Sequence, residues 1–217
     1  MAKKYSHIIW DWNGTLYDDA EWCFNIINTM LNKRGMKELK NMTEYRDVFD
    51  FPVKNYYMKI GFDFDDESFE VLSKEFITLY RAGDEMYCSL KNNTETIFET
   101  FHKSGFTQVI LSASEINNLN RQIKYLNIEN YFDAVIGVMD TYAKGKVDIG
   151  LEFIKANKID KAILIGDTVH DFEVAQKLGV DCILVSGGHQ NKNKLLKCNV
   201  PVFDGLNEII NYLLTEA

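Results

Sequence analysis

Five short stretches of this chain carry side chains suited to moving a phosphoryl group. Asp11-Trp12-Asn13-Gly14-Thr15 follows the apolar run His7 to Trp10, and Ser112-Ala113-Ser114 follows Thr107 to Leu111. Lys144-Gly145-Lys146 comes after Phe132 to Val138, Gly166-Asp167 and then Asp171 after Ala162 to Ile165, and Ser186 to His189 after Cys182 to Val185. A carboxylate such as Asp11 can attack phosphorus and form an acyl phosphate that water then cleaves. Two further carboxylates can hold Mg²⁺, a hard cation that prefers oxygen ligands and offsets the repulsion between a carboxylate and an anionic phosphate. A lysine and a hydroxyl can bind the equatorial oxygens, over which charge spreads in the transition state. Glycine in the Asn13-Gly14-Thr15 turn lets backbone N–H groups come close to an anion.

These stretches work together only if the elements before them converge. Short apolar runs at 7–10, 107–111, 132–138, 162–165 and 182–185 read as buried strands. Amphipathic patterns at 94–103, 114–126, 147–157 and 171–178 read as the helices between them. That alternation predicts an α/β fold, a Rossmann-like parallel sheet covered on both faces. Ligands bind such sheets at the C-terminal edge of the strands. Residues about 160 positions apart therefore meet on one rim. Residues 18–85 break the rhythm, with helical patterns at 21–33 and 67–80 and no convincing strand. The expected organisation is a core of residues 1–16 and 87–217 with an α-helical cap, residues 17–86, inserted after the first strand. The acidic run Asp63 to Glu67 lacks the glycine and ligand spacing of a calcium loop and reads as a solvated helix start.

Composition narrows the function classes. At 217 residues, 46% hydrophobic and 26% charged, the chain is globular, neither disordered nor a rod. A net charge of −8 disfavours a nucleic-acid partner, yet leaves room for a small phosphorylated metabolite where a metal reverses the local sign. No apolar stretch approaches the roughly 20 residues that span a bilayer, and no signal-peptide core follows the basic N-terminus. The four cysteines form no Cys-x-x-Cys pair and read as reduced thiols of a cytoplasmic protein. Nothing in the sequence sets an oligomeric state.

The ordered set of motifs resembles the haloacid dehalogenase superfamily, in its phosphoglycolate phosphatase-like branch with a helical cap. The family's Asp-x-Asp-Gly-Thr corresponds to Asp11 to Thr15, its strand-end Ser or Thr to Ser112, its lysine to Lys146, and its Gly-Asp with a following Asp to Gly166-Asp167 and Asp171. No one motif is specific alone; their order at successive strand ends is. The resemblance implies Asp11 as nucleophile and Mg²⁺ ligand, Asp167 as second ligand, and Asp171 binding directly or through water. Asn13 would offer its backbone carbonyl to the metal. Ser112 and Lys146 would hold the phosphate, with Ala113, Gly14 and Thr15 completing the phosphate loop. The plainer readings are that Ser112 and Asp171 only cap helices and that Lys144 competes with Lys146.

One position departs from the family. Where its phosphatases carry a second aspartate, which protonates the leaving oxygen and later takes a proton from water, this chain has Asn13. An amide has no such capacity, and losing a general acid or base costs about 10²–10⁴-fold in rate. Three readings follow: a slow or specialised phosphatase favouring good leaving groups, with water, His170 or a cap residue standing in; carbon–phosphorus chemistry like that of phosphonoacetaldehyde hydrolases, which share Asp-Trp-x-Gly-Thr and use a cap lysine, here Lys54 or Lys59; or a homologue that binds phosphorylated ligands or a protein without turnover.

Overall fold

The computed structural model describes residues 4–139 and 145–215. Six parallel strands form the central sheet: β1 (His7–Trp10), β4 (Thr107–Glu115), β5 (Ala134–Val138), β6 (Ala162–Gly166), β7 (Asp181–Val185) and β8 (Val202–Phe203). Their spatial order is β5-β4-β1-β6-β7-β8, so β1 lies at the centre of an α/β, Rossmann-like sheet. The pleat sends alternate side chains to opposite faces. Ile8 and Trp10 accordingly join one apolar cluster and Ile9 the other. The first cluster is closed by α5 (Thr94–Lys103), α6 (Ile116–Tyr125) and α10 (Leu206–Thr215), and the second by α7 (Lys146–Asn157) and α8 (Val169–Leu178). A short helix, α9 (Lys192–Leu195), lies between β7 and β8.

The register places the candidate residues. Trp10 pairs with Ile110 on one side and Ile165 on the other. Asp11, Ser112 and Asp167 thus leave three adjacent strands at nearly the same level, and the Asp11 N–H still donates to Ile165 O at 2.9 Å.

Between the first strand and the rest lie four helices: α1 (Ala20–Lys33), α2 (Met42–Val48), α3 (Val53–Lys59) and α4 (Phe69–Tyr87). The chain enters and leaves this region through an antiparallel pair, β2 (Tyr17–Asp18) and β3 (Ser89–Leu90). Helix α4 runs past the expected stop near Tyr80. Gly83 explains why: a Cβ there would sit 2.5 Å from the Trp22 ring, so the missing side chain lets α1 and α4 approach without breaking the helix. Trp22 also donates to Tyr80 O at 3.1 Å.

Other expected boundaries shift. The strand expected to stop at Leu111 continues, with a register break, to Glu115, and α6 starts at Ile116 rather than Ser114. The reason is the cap: Glu115, not Ser114, accepts from the N–H groups of Asn117 and Asn118. Strand β5 starts at Ala134, because Glu129–Tyr131 form a 3₁₀ turn. Helices α2 and α3, both short, and the C-terminal α10 went unread, as did β8.

Candidate active site

Asp11, Asp167 and Asp171 meet at the rim, with carboxylate oxygens all within 4.8 Å of one another and all three side chains buried. Among the described residues Lys146, itself 4% exposed, pairs with two of them, placing Nζ 2.5 Å from Asp11 Oδ1 and 2.6 Å from Asp171 Oδ1. Gly145 caps α7 and Lys146 opens it, with its side chain reaching the carboxylates at the strand ends. The rival Lys144 lies outside the described residues. Thr15 Oγ1 sits 3.0 Å from both Asp11 Oδ2 and Asp167 Oδ1, bridging the first and fourth motifs. Asp167 Oδ2 also accepts from the His189 N–H at 2.6 Å.

Among the described residues, three carboxylates against one lysine leave the site short of positive charge. Burial, then the neighbouring Asp171, push the Asp11 carboxyl up to about 7. Burial raises Asp167 as well, only partly countered by His189. Burial would raise Asp171 too, but Lys146 and the Thr168 hydroxyl hold it below the usual range. Burial alone would lower the Lys146 ammonium; Asp11 and Asp171 outweigh it and raise it. A buried cluster of hard oxygens that resists carrying its full negative charge fits a divalent cation. Asp171 also forms a capping box with Thr168, whose N–H and hydroxyl both donate to Asp171 Oδ2. Helix cap and site residue are here the same side chain.

The Gly14 and Thr15 backbone donors expected for phosphate are otherwise engaged. Gly14 N–H points to Tyr17 O at 2.8 Å and Asp19 Oδ1 at 2.9 Å, and Thr15 N–H to Trp12 O at 3.2 Å. The tight turn turns these amides inward. What Gly14 supplies is space: at φ +76° its position would bring a Cβ within 2.4 Å of Asp167 Oδ2. Ser112 Oγ accepts from the Ser114 N–H at 3.0 Å, which leaves its own proton for a ligand. Ser112 and Ala113 line the same cavity as the carboxylates.

Asn13 is held at three points. Its Oδ1 accepts from Ser114 Oγ at 2.6 Å, while Nδ2 donates to Asp19 Oδ2 at 2.7 Å and lies 2.9 Å from the Tyr80 hydroxyl. Asp19 directly precedes α1, where a side-chain capping bond could form. It makes no such bond and instead anchors this network, accepting from Tyr80 at 2.7 Å and lying 3.1 Å from His189 Nε2. Burial would raise the Asp19 carboxyl, yet His189, Tyr80 and Asn13 hold it low. The other His189 nitrogen meets the Tyr45 hydroxyl at 2.8 Å. No spacing rule links Asp19, Tyr80 and His189 along the chain. His170 stacks on Phe51 with ring centroids 4.4 Å apart.

A cavity of about 790 Å³ lies over the cluster, walled on the other side by helices α1 to α4. Lys54 and Lys59 are not among its lining residues. Lys54 lies over the Phe64 ring and Lys59 pairs with Asp50, so neither serves as the cap lysine that carbon–phosphorus cleavage would use. Among the described residues no helix is long and apolar enough to cross a membrane.

Residues 8–185 match the family model for haloacid dehalogenase-like hydrolases. The phosphoglycolate phosphatase of Aquifex aeolicus is 26% identical over 195 residues, which cover 86% of this chain and 87% of that one. Two solved structures share the fold. One, described as a predicted phosphatase from Clostridium acetobutylicum, has a TM-score of 0.83 at 22% identity and covers 97% of this chain and 99% of its own. The other, a haloacid dehalogenase-like hydrolase from Streptococcus pneumoniae, has a TM-score of 0.83 at 20% identity and covers 96% and 98%.

Proposed function

The chain belongs to the haloacid dehalogenase-like hydrolase family and is a phosphatase; from that premise we propose that it hydrolyses a small phosphorylated metabolite with Mg²⁺, through an aspartyl-phosphate on Asp11. The observation that carries the reading is the buried cluster of Asp11, Asp167, Asp171 and Lys146 at the floor of the cavity. Asp11, Asp167 and the Asn13 main-chain carbonyl would hold the ion, with Asp171 as a third carboxylate. Bound there, the ion supplies positive charge to the phosphoryl oxygens and lowers the repulsion they meet from Asp11.

The chain's own groups do the rest. Asp11 attacks phosphorus, forming the new O–P bond as the bond to the leaving oxygen breaks and that oxygen departs with the electron pair. Lys146 and the Ser112 hydroxyl hold equatorial oxygens, and Lys146 also keeps Asp11 and Asp171 fixed relative to each other. Water then cleaves the acyl phosphate, releasing phosphate and restoring the Asp11 carboxylate.

The test is hydrolysis of acetyl phosphate and of a panel that includes phosphoglycolate, with and without Mg²⁺, by the native chain and by Asp11→Asn. Metal-dependent turnover that Asp11→Asn abolishes supports the reading. Equal rates in the two proteins, or no turnover of any substrate, would sink it and return the chain to a binding role.

A further inference from the structure

Resting on that phosphatase reading, we propose that the substrate is a phosphate monoester of an aromatic alcohol, with its ring held by the cap. Two independent features of the cavity converge on this chemistry.

The first is the state of the protons around position 13, where the family places its leaving-group acid. The Asn13 amide is bonded at both ends. The Ser114 hydroxyl donates to Asn13 and the Tyr80 hydroxyl donates to Asp19. Both ring nitrogens of His189 are engaged, with Asp19 and Tyr45. Each of these protic side chains already serves an internal partner. None of these groups around position 13 is free to protonate the leaving oxygen, and the other cavity imidazole, His170, is stacked against Phe51; the oxygen therefore departs from this side as an anion, its bond to phosphorus breaking onto oxygen and its proton arriving later from solvent. A phenolate bears that charge far better than an alkoxide; a phenol has a pKa of about 10, as tyrosine does.

The second is the wall. The cap presents Phe49, Phe51, Tyr56, Phe69 and Phe76 to the cavity above the carboxylates. Phe51 stacks on His170, the residue before Asp171 on α8. Aromatic rings bind one another by offset or edge contacts that add to the benefit of the area they bury. The four phenylalanines offer nothing to the hydroxyls of a sugar phosphate, and only the buried, unpartnered Tyr56 hydroxyl among the five could meet one, so the desolvation of the rest would go uncompensated. Good leaving groups without rings, such as acyl phosphates, satisfy the first feature but not the second.

The experiment compares phenyl phosphate, propyl phosphate and acetyl phosphate, then a series of substituted phenyl phosphates of rising phenol pKa, all with Mg²⁺. The expected result is a kcat/KM for phenyl phosphate at least about 100-fold above that for propyl phosphate, the lower end of what a missing general acid costs, with rates falling steeply as the phenol pKa rises. In Phe51→Leu the ratio of phenyl to acetyl phosphate should drop about tenfold. Propyl phosphate turned over as well as phenyl phosphate, or rates independent of phenol pKa, would overturn the proposal. Failure of the underlying phosphatase reading is distinguishable, because acetyl phosphate would then also be inert. In that case binding of phenylphosphonate against butylphosphonate, followed by calorimetry, still reads the wall: several-fold tighter phenylphosphonate supports it, and equal affinity refutes it.

Discussion

Asn13 gives its carbonyl to Ser114 and its amide hydrogens to Asp19 and Tyr80. An aspartate there would turn an oxygen toward the Asp19 carboxylate, and two buried anions in contact repel. Asn13→Asp is therefore expected to lower stability by about 1–3 kcal/mol, the cost of breaking a buried hydrogen bond. The double variant Asn13→Asp/Asp19→Asn should recover much of that loss. Urea denaturation of the four proteins in the cycle measures the coupling, and a double variant no more stable than Asn13→Asp would refute the contact. Gly14 is constrained differently. A methyl group there collides with Asp167 and His189 at a positive φ, so Gly14→Ala should cut activity at least 100-fold. It should also weaken Mg²⁺ binding, because the carboxylate it displaces is a proposed ligand. Unchanged Mg²⁺ affinity by calorimetry would contradict that placement of Asp167.

Helices α1 and α4 are joined at one end by charge. Arg34, just past α1, donates to Glu67 through Nε at 2.7 Å and to Glu75 on α4 through an Nη at 2.5 Å. The Arg34 hydrogen bond is the largest influence holding the Glu75 carboxyl below its ordinary value of 4.5. A carboxyl whose folded pKa is depressed adds stability above its unfolded pKa and loses it as pH falls through the folded one. Arg34→Met should thus cost about 1 kcal/mol at pH 7, since the pairs are partly exposed. The difference from the native chain should shrink below about pH 4.5, where the carboxylates protonate. Thermal melts at pH 7 and pH 3.5 check this; a constant difference would assign the loss to packing. At the opposite side of the cap, Arg46 donates to Gly188 O and Lys194 to Phe49 O. These contacts tie the α2 region to the loop that carries His189. Arg46→Ala is expected to loosen closure, raising KM several-fold with a smaller change in kcat.

For the molecule as a whole, the concentration of buried negative charge on one rim makes folding and ion binding a linked process. An ion that binds only the folded chain stabilises it by RT ln(1 + [L]/Kd), about 2.7 kcal/mol at a hundredfold excess over Kd. Mg²⁺ should raise the melting temperature of the native chain by several degrees. Asp167→Asn should melt no lower than the native chain without Mg²⁺, because it removes one of three crowded carboxylates, and should show no Mg²⁺-induced rise. An equal rise in both proteins would exclude Asp167 as a ligand.

The alternation of apolar strands and amphipathic helices was enough to foresee the parallel sheet and the rim at which Asp11, Ser112, Lys146, Asp167 and Asp171 lie, because strand burial and helix amphipathicity are local patterns. The short helices α2 and α3 carry too few turns to show a period, and β2 with β3 pairs residues about 70 positions apart, so neither is visible along the chain. The contacts of Asn13 with Asp19 and Tyr80, and of Asp19 with His189, arise from separate elements brought together by packing. The inward turn of the Gly14 and Thr15 amides is likewise a consequence of close packing. Spacing in sequence carries chemistry only as far as one element reaches; which protons remain available at the site depends on side chains that meet through space.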